Sequence, residues 1–402
     1  MKICLISNLY PPNVLGGAEI IVEKMALGMK KLGHEVIVIT TSPDKDEHIL
    51  YRNDVKVYEI NTTSIYPTYQ QTSASAVKKP LWHLFDLYNN KTLKRLKSIL
   101  EDECVDIIHI NNYKGLSLSC FRVGHELEIP LVYESHDFSL ICPRANLIRG
   151  NNTLCDKRGF VCDEYVKIQR RLLSDYVDLL ISPSEFMITK FKENNFFNNT
   201  PCVKIPLGSD FKYEGNYTKT YDTIDITYIG TLGKHKGVDT LIRAFKDVSG
   251  DNLRLHIVGK GYDEEEFKQL ADNDSRIIFH GFVDNKNIVN YYTMSNILVI
   301  PSICYDNSPV VIYEAFCTGT PVIGSDIGGI PELICDEDNG LLFEAGSTAS
   351  LKEKLVKVTK NKELLKHLEE NARQTLADDS MKLMVERIIE EYEKLLFREV
   401  DE

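Results

Sequence analysis

Two carboxylates, a lysine and a histidine carry most of the chemistry legible in this chain. In the stretch Ile297–Glu332, ILVIPSICYDNSPVVIYEAFCTGTPVIGSDIGGIPE, Asp306 and Glu314 stand with seven residues between them. An ionised carboxylate accepts paired hydrogen bonds from vicinal hydroxyls, so both acids suit a sugar or a ribose. Without a ligand, Asp306 is a turn residue and Glu314 sits on an exposed helix face. Ser308-Pro309 reads as a capping residue with proline in the first helical position. The backbone N–H groups from Val310 to Ile312 would then aim at the loop, where a diphosphate is a natural occupant. Gly230–Gly237 adds a cluster of cations, Lys234, His235 and Lys236, between a strand and a helix. His136 follows the apolar run Leu131–Glu134, at the strand end where α/β sheets place ligands. A lone histidine serves structure equally well.

The elements that must position these groups alternate along the chain. Ile3–Ile6 and Val36–Thr40 read as buried strands flanking a helix from Ala18 to Leu32 that ends at Gly33. Strands over Asp106–Ile110, Leu131–Glu134, Asp178–Ile181 and Val203–Ile205 alternate with helices over Tyr165–Tyr176 and Ser184–Asn194. The pattern restarts with strands Ile226–Ile229, Arg254–Val258 and Ile277–Phe279, helices Asp263–Ala271 and Asn287–Met294, then strands Ile297–Ile300 and Pro321–Ser325. Beyond Leu341–Phe343 the chain is helical and charged. Two successive βαβ series predict two parallel sheets facing a cleft, and 402 residues are too many for one ordinary core. Gly16-Gly17 before the first helix lets the backbone approach a ligand, or merely turns the chain. The loop is not GxGxxG, so a dinucleotide dehydrogenase finds no support.

Taken together, Asp306-x7-Glu314, Gly319-Thr320-Pro321-Val322 and Gly328-Gly329-Ile330-Pro331-Glu332 resemble the donor-site signature of retaining glycosyltransferases of family 4, which have the GT-B fold. Pro11-Pro12…Gly16-Gly17-Ala18-Glu19, Gly33-His34-Glu35-Val36, Ser135-His136-Asp137 and His280-Gly281-Phe282-Val283 extend the resemblance over nearly the whole chain. It implies two Rossmann-like domains: residues 1–208 on the acceptor side, a linker over 209–224, and a nucleotide-sugar domain over 225–380. A last helix, 381–402, would cross back to the N-terminal domain. His136, Lys236 and Asp306 are implied as catalytic. The donor would be held by Gly16 and Gly17 beneath the sugar, Thr231 and Lys236 at the phosphates, and Val283 at the base. Asp306, Asn307, Ser308, Val310 and Glu314 would complete the site. Two departures stand out: Asp306 replaces the usual Glu, and Thr231 stands where an Arg is usual.

The implied reaction moves a sugar from a UDP- or GDP-linked donor to a glycan, glycolipid or lipid-linked acceptor, with retention and without a cofactor or an essential metal. Two other readings share the architecture: a sugar-nucleotide 2-epimerase, and a non-catalytic donor-binding partner of another transferase. The acid strings Asp44-Lys45-Asp46 and Asp336-Glu337-Asp338 could bind manganese in a different transferase fold, but both read as exposed loop acids. Cys142, Cys155 and Cys162 form a weak metal set lacking a fourth thiol. A net charge of -12 argues against a general nucleic-acid binder. No apolar run approaches the roughly 20 residues that cross a bilayer. Ten scattered cysteines, with the start read as a strand and not a signal peptide, suggest the cytoplasm. Tyr66, Tyr69, Trp82, Phe85 and Tyr88, interleaved with Lys78, Lys79, Lys91, Lys94, Arg95 and Lys97, suit either contact with the inner membrane face or a helix packed on its own domain.

Overall fold

The structure is a computed structural model, and it describes residues 1–44, 46–62, 78–150, 152–173, 175–211, 219–376 and 380–398. Tyr66 and Tyr69, part of the aromatic–lysine stretch, lie outside the described residues, as does 212–218. The chain forms two compact units. The first comprises Met1–Asn146, Lys157–Leu207 and Met381 onward; the second comprises Leu147–Asp156 and Gly208–Ser380.

The first unit is built on strands β1 (Lys2–Ser7), β2 (Glu35–Thr41), β3 (His48–Arg52), β4 (Val55–Ile60), β5 (Ile107–Asn112), β6 (Leu131–Glu134), β7 (Leu179–Ser182) and β8 (Cys202–Lys204). Their order is β3-β4-β2-β1-β5-β6-β7-β8, and only β3 runs antiparallel to its neighbour. β3 and β4 were not anticipated from the sequence. Ile49, Leu50 and Tyr51 of β3 are exposed, so this edge strand lacks the apolar-in pattern that a reader looks for. Its turn is readable: Asn53 and Asp54 both have positive φ (47° and 62°), the geometry of a tight hairpin. The helix Ser380–Arg398 belongs to this unit from Met381 on, and it buries Val385, Ile388 and Tyr392.

The second unit has β9 (Ile224–Ile229), β10 (Leu253–Val258), β11 (Ile277–Gly281), β12 (Ile297–Ile300), β13 (Val322–Ser325) and β14 (Gly340–Phe343), all parallel, in the order β11-β10-β9-β12-β13-β14. Strand periodicity divides its core between two faces. Ile226 and Tyr228 of β9 join Ile297 and Val299 of β12 on one side, under Leu241, Phe245 and Leu355. Ile229, Leu298 and Ile300 point the other way, against Tyr292, Ile312 and Phe316. This explains why the strands read as continuous apolar runs.

In each sheet the chain leaves its starting strand in one direction and later returns to add strands on the other side. The reversal falls between β1 and β5 in the first unit and between β9 and β12 in the second. Adjacent loops diverge there, at the carboxyl ends of the strands, and leave room for a ligand. The described helix Lys78–Leu87 buries Trp82 and Asp86 while Leu84 (61%) and Phe85 (52%) face outward. It therefore packs on its own unit through one face and, among the described residues, leaves Leu81, Leu84 and Phe85 exposed on the other. No described helix is long and apolar enough to cross a membrane.

Candidate functional site

In the second unit the reversal point carries the loops that follow β9 and β12. Lys236 comes from the first loop and Asp306 from the second, and Lys236 Nζ lies 2.5 Å from Asp306 Oδ1. Ser302 Oγ donates to the other carboxylate oxygen at 2.5 Å. A backbone bond from Ile303 N to His235 O (3.1 Å) ties the loops together. Two residues that the sequence assigned to separate tasks are therefore one ion pair. Burial works to lower the Lys236 ammonium, but Asp306 more than offsets it and holds the pKa above its ordinary value.

Two glycines make this approach possible. Gly237 has φ +68°, and a Cβ there would fall 1.9 Å from the Pro301 carbonyl oxygen. Gly328 has φ +65°, and a Cβ there would fall 2.5 Å from Asp306 O; its neighbour Gly329 donates its N–H to that same oxygen at 2.8 Å. The Gly-Gly pair after β13 is thus a brace for the Asp306 backbone.

The other cations of the β9 loop are diverted. Lys234 Nζ pairs with Glu266 at 2.8 Å. Burial, then the charge of Lys236, pushes the His235 imidazole below its ordinary pKa, so it is a poor cation near neutrality. Thr231 is exposed, and its carbonyl accepts from Tyr228 Oη (2.7 Å) and Gly233 N (3.0 Å). Lys236 remains as the cation of this loop beside Asp306.

The helix Val310–Cys317 begins one residue later than expected, with Pro309 as its cap and no side-chain cap bond. Ser308 instead shares a hydrogen bond with Tyr313 Oη at 2.8 Å. Ile312 N is taken by Pro309 O, so the first turn offers the N–H groups of Val310 and Val311 and not that of Ile312. Asn307 is buried. Glu314, half-buried, accepts from the fully buried Tyr292 Oη at 2.6 Å. Val283 lines a cavity of about 560 Å³ with His280, Phe282 and Tyr291.

In the first unit, Gly16 and Gly17 are exposed between β1 and the helix Ala18–Lys31, and Gly16 N donates to Glu19 Oε2 at 3.0 Å. His136, just past β6, is nearly enclosed. Its Nε2 lies 3.0 Å from Asn111 Oδ1 and 3.8 Å from Glu134 Oε1. Sequence reading singled out His136 and missed Asn111, His109 and Glu134. The signal was present: His109-x-Asn111 and Glu134-x-His136 put polar groups at alternate positions in otherwise apolar strands, so they share one face of the sheet. Cys142, Cys155 and Cys162 are not joined in disulfides, and no group of three or more His, Cys, Asp or Glu among the described residues could hold a metal ion.

Comparison with known proteins adds the following. The family description "Glycosyltransferase Family 4" matches residues 15–213, and "Glycosyl transferases group 1" matches residues 212–375. An uncharacterised 42.6 kDa protein in the cps region of Klebsiella pneumoniae is 26% identical over 343 residues, which are 83% of this chain and 87% of that one. Among solved structures, sucrose-phosphate synthase from Thermosynechococcus elongatus superposes with TM-score 0.78 at 18% identity, over 99% of both chains. Anabaena HepE in complex with UDP and glucose gives 0.71 at 17% identity, over 97% of this chain and 98% of that one. At such identities the structural likeness speaks for the fold alone.

The brace on Asp306 can be tested against plain backbone strain. Gly346 also has positive φ (+76°), but a Cβ there meets only the Ile303 side chain at an ordinary 3.7 Å. Gly346→Ala is expected to cost about 1–2 kcal/mol of stability from strain. Gly328→Ala should cost about 1–3 kcal/mol more, because a backbone oxygen cannot move aside like a rotamer. Chemical denaturation of both variants checks this, and equal losses would contradict it.

Proposed function

Because the chain belongs to the GT-B glycosyltransferases of family 4, we propose that it transfers a sugar with retention from a nucleoside-diphosphate donor to a glycan or lipid-linked acceptor. The observation that carries this reading is the Lys236–Asp306 pair at the sheet reversal, followed within the same loop by the first turn of Val310–Cys317 with its Val310 and Val311 N–H groups. The barrier in such a transfer lies in parting a sugar cation from a diphosphate, so fixed positive charge at the leaving group is what a catalyst must supply. Lys236 and the N–H groups of Val310 and Val311 supply it by position. Asp306, braced by Gly328 and Gly329 and anchored by Ser302, accepts from a sugar hydroxyl. Glu314, steadied by Tyr292, accepts from the ribose, and Val283 lies at the base. His136 acts at the reacting sugar. The UDP-bound state of the HepE relative supports a uridine donor. The charge roles fall to side-chain and backbone groups, so the reaction needs no metal.

For the acceptor, we propose an anionic lipid surface beneath the uncovered face of the helix Lys78–Leu87. Leu81, Leu84 and Phe85, followed by Tyr88, recur at helical spacing and stand exposed. Tyr88 shares a groove of about 330 Å³ with Lys94, Lys97, Glu101, Arg122 and Glu126. Glu126 pairs with Lys97 and Arg122, which leaves Lys94 as the cation of the groove, and the Arg122 guanidinium lies over the Tyr88 ring. Apolar side chains beside cations fit a headgroup region. The Klebsiella relative, described as lying in a cps region, supports a cell-surface polysaccharide as the product.

Thermal-shift measurements with UDP-, GDP- and ADP-sugars should raise the melting temperature most for a UDP-sugar. Transfer should continue in EDTA, and His136→Ala should keep the donor shift while losing most transfer. An altered sugar nucleotide released without acceptor would replace this reading with an epimerase. On the membrane side, the protein should co-sediment with vesicles containing phosphatidylglycerol, and Leu84→Glu with Phe85→Glu should abolish that. Binding that survives the double substitution, or no binding by the parent, would remove the proposed lipid face.

A further inference from the structure

Behind His136 the first unit holds a buried polar cluster that the transfer reaction, as described, does not use. His109 and Asn111 project from β5, and Glu134 from the end of β6. Tyr392 reaches in from the helix Ser380–Arg398. All four are fully buried. Glu134 Oε2 stands 3.3 Å from His109 Nε2, and Glu134 Oε1 stands 3.8 Å from His136 Nε2. Tyr392 Oη is hydrogen-bonded to His109 Nδ1. Glu134 Oε2, His109 Nε2 and Asn111 Nδ2 make no well-aligned hydrogen bond among the described residues. Glu134 Oε2 and His109 Nε2 at least face each other, but a buried polar atom without a well-aligned partner, such as Asn111 Nδ2, costs stability on the order of 1–3 kcal/mol. An apolar core would be the cheaper solution for the fold alone.

We propose that Glu134 is a positioning residue for His136: its carboxylate, seated between two imidazoles and backed by Tyr392, fixes which nitrogen of His136 carries hydrogen and sets a negative charge beside that ring. This rests on the assignment of His136 to the reacting centre.

The geometry gives the direction of each effect. The His136 nitrogen that faces Asn111 Oδ1 faces an acceptor, and the Glu134 carboxylate lies on the same side. Hydrogen on Nε2 is therefore favoured twice, and Nδ1 keeps its lone pair. Burial keeps Tyr392 a neutral phenol, well above its ordinary pKa. The Glu134 carboxylate facing His109 Nε2 favours hydrogen on that nitrogen, and Tyr392 Oη then donates to Nδ1. Burial works to raise the Glu134 carboxyl, but His136 and His109 more than offset it and hold it below its ordinary value. The carboxylate is thus charged, and an uncompensated charge in such a site is costly. The two ring nitrogens that face it, at 3.3 and 3.8 Å, are what compensates it. The ionisable groups facing Glu134 are His109 from β5, His136 beyond β6 and Tyr392 from the last helix. The relay converts the packing of that last helix into the state of a catalytic ring.

The test compares the parent with Glu134→Gln, Glu134→Asp, Tyr392→Phe and His136→Ala. Glu134→Gln keeps the shape and removes the charge. It should leave donor affinity within about threefold, lower kcat at least tenfold, and move the imidazole limb of the kcat–pH profile about one unit to lower pH. Glu134→Asp should recover part of the loss, and Tyr392→Phe should move the limb the same way by less. Independently of activity, the side-chain 15N spectrum should report Nε2–H for His136 in the parent and a mixture of tautomers in Glu134→Gln. A Glu134→Gln enzyme with parental kcat and limb overturns the proposal, as does a kcat loss with unchanged limb and imidazole signals. If Glu134→Gln fails to fold, Tyr392→Phe decides: an unmoved limb and unchanged imidazole signals overturn it. A His136→Ala enzyme that still transfers within a few-fold defeats the His136 assignment itself. A dead His136→Ala beside a parental Glu134→Gln defeats only the relay.

Discussion

The second unit depends on one contact, the Lys236–Asp306 ion pair across the point where its sheet reverses. Neither residue could be placed there by its own loop. The β9 loop must pass against the Pro301 carbonyl, which only Gly237 permits, and the β12 loop must be held by the backbone at Gly328 and Gly329. The pair is partly enclosed, so Coulomb attraction is less screened than at an open surface, and losing either partner would strand a charge. The same loop leads into a helix turn that offers the N–H groups of Val310 and Val311, and an ammonium with such donors is what a departing diphosphate requires. Positioning and electrostatics are here one construction.

The first unit repeats the logic with different chemistry. Its reversal lies between β1 and β5, and the polar residues of β5 and β6 gather beside it. Where the second unit pairs a lysine with a carboxylate, the first sets one carboxylate between two imidazoles. Both sites consist of charge held by strand ends and by residues that cannot relax away. A family 4 fold supplies the frame; the particular side chains supply the chemistry.

Much of this was legible beforehand. Apolar runs marked eleven of the strands, because a parallel strand covered on both faces has no polar position to break the run. The edge strand β3 was missed because solvent covers it and its side chains carry no burial signal. Asp306, Lys236 and His136 were singled out by the resemblance of their surrounding strings to family 4, since spacing and strand-end position alone left each equally a structural residue. What spacing could not tell is that Lys236 and Asp306 touch, since 70 residues separate them in sequence and only the sheet order brings β9 beside β12. Nor could it tell that Lys234 is spent on Glu266 and that His235 is poorly charged. The expectation that Ser308 caps the helix failed because the Tyr313 hydroxyl claims its side chain. Glu134 and His109 escaped notice because a polar residue inside an apolar run is easily discounted, when its cost in the core is the reason to look at it.

The central claim is that Lys236 is the cation that meets the leaving diphosphate, with Thr231 in place of the usual arginine and His235 largely neutral. Steady-state kcat/KM at pH 8 with saturating acceptor tests it in Lys236→Ala and His235→Ala side by side. Loss of one preorganised donor typically costs about 10²–10³-fold in rate, and Lys236→Ala is expected near the upper end because no second cation of that loop stands in for it. His235→Ala should lose far less, since an imidazole held below its ordinary pKa is neutral at pH 8. A larger loss for His235→Ala than for Lys236→Ala would contradict the account.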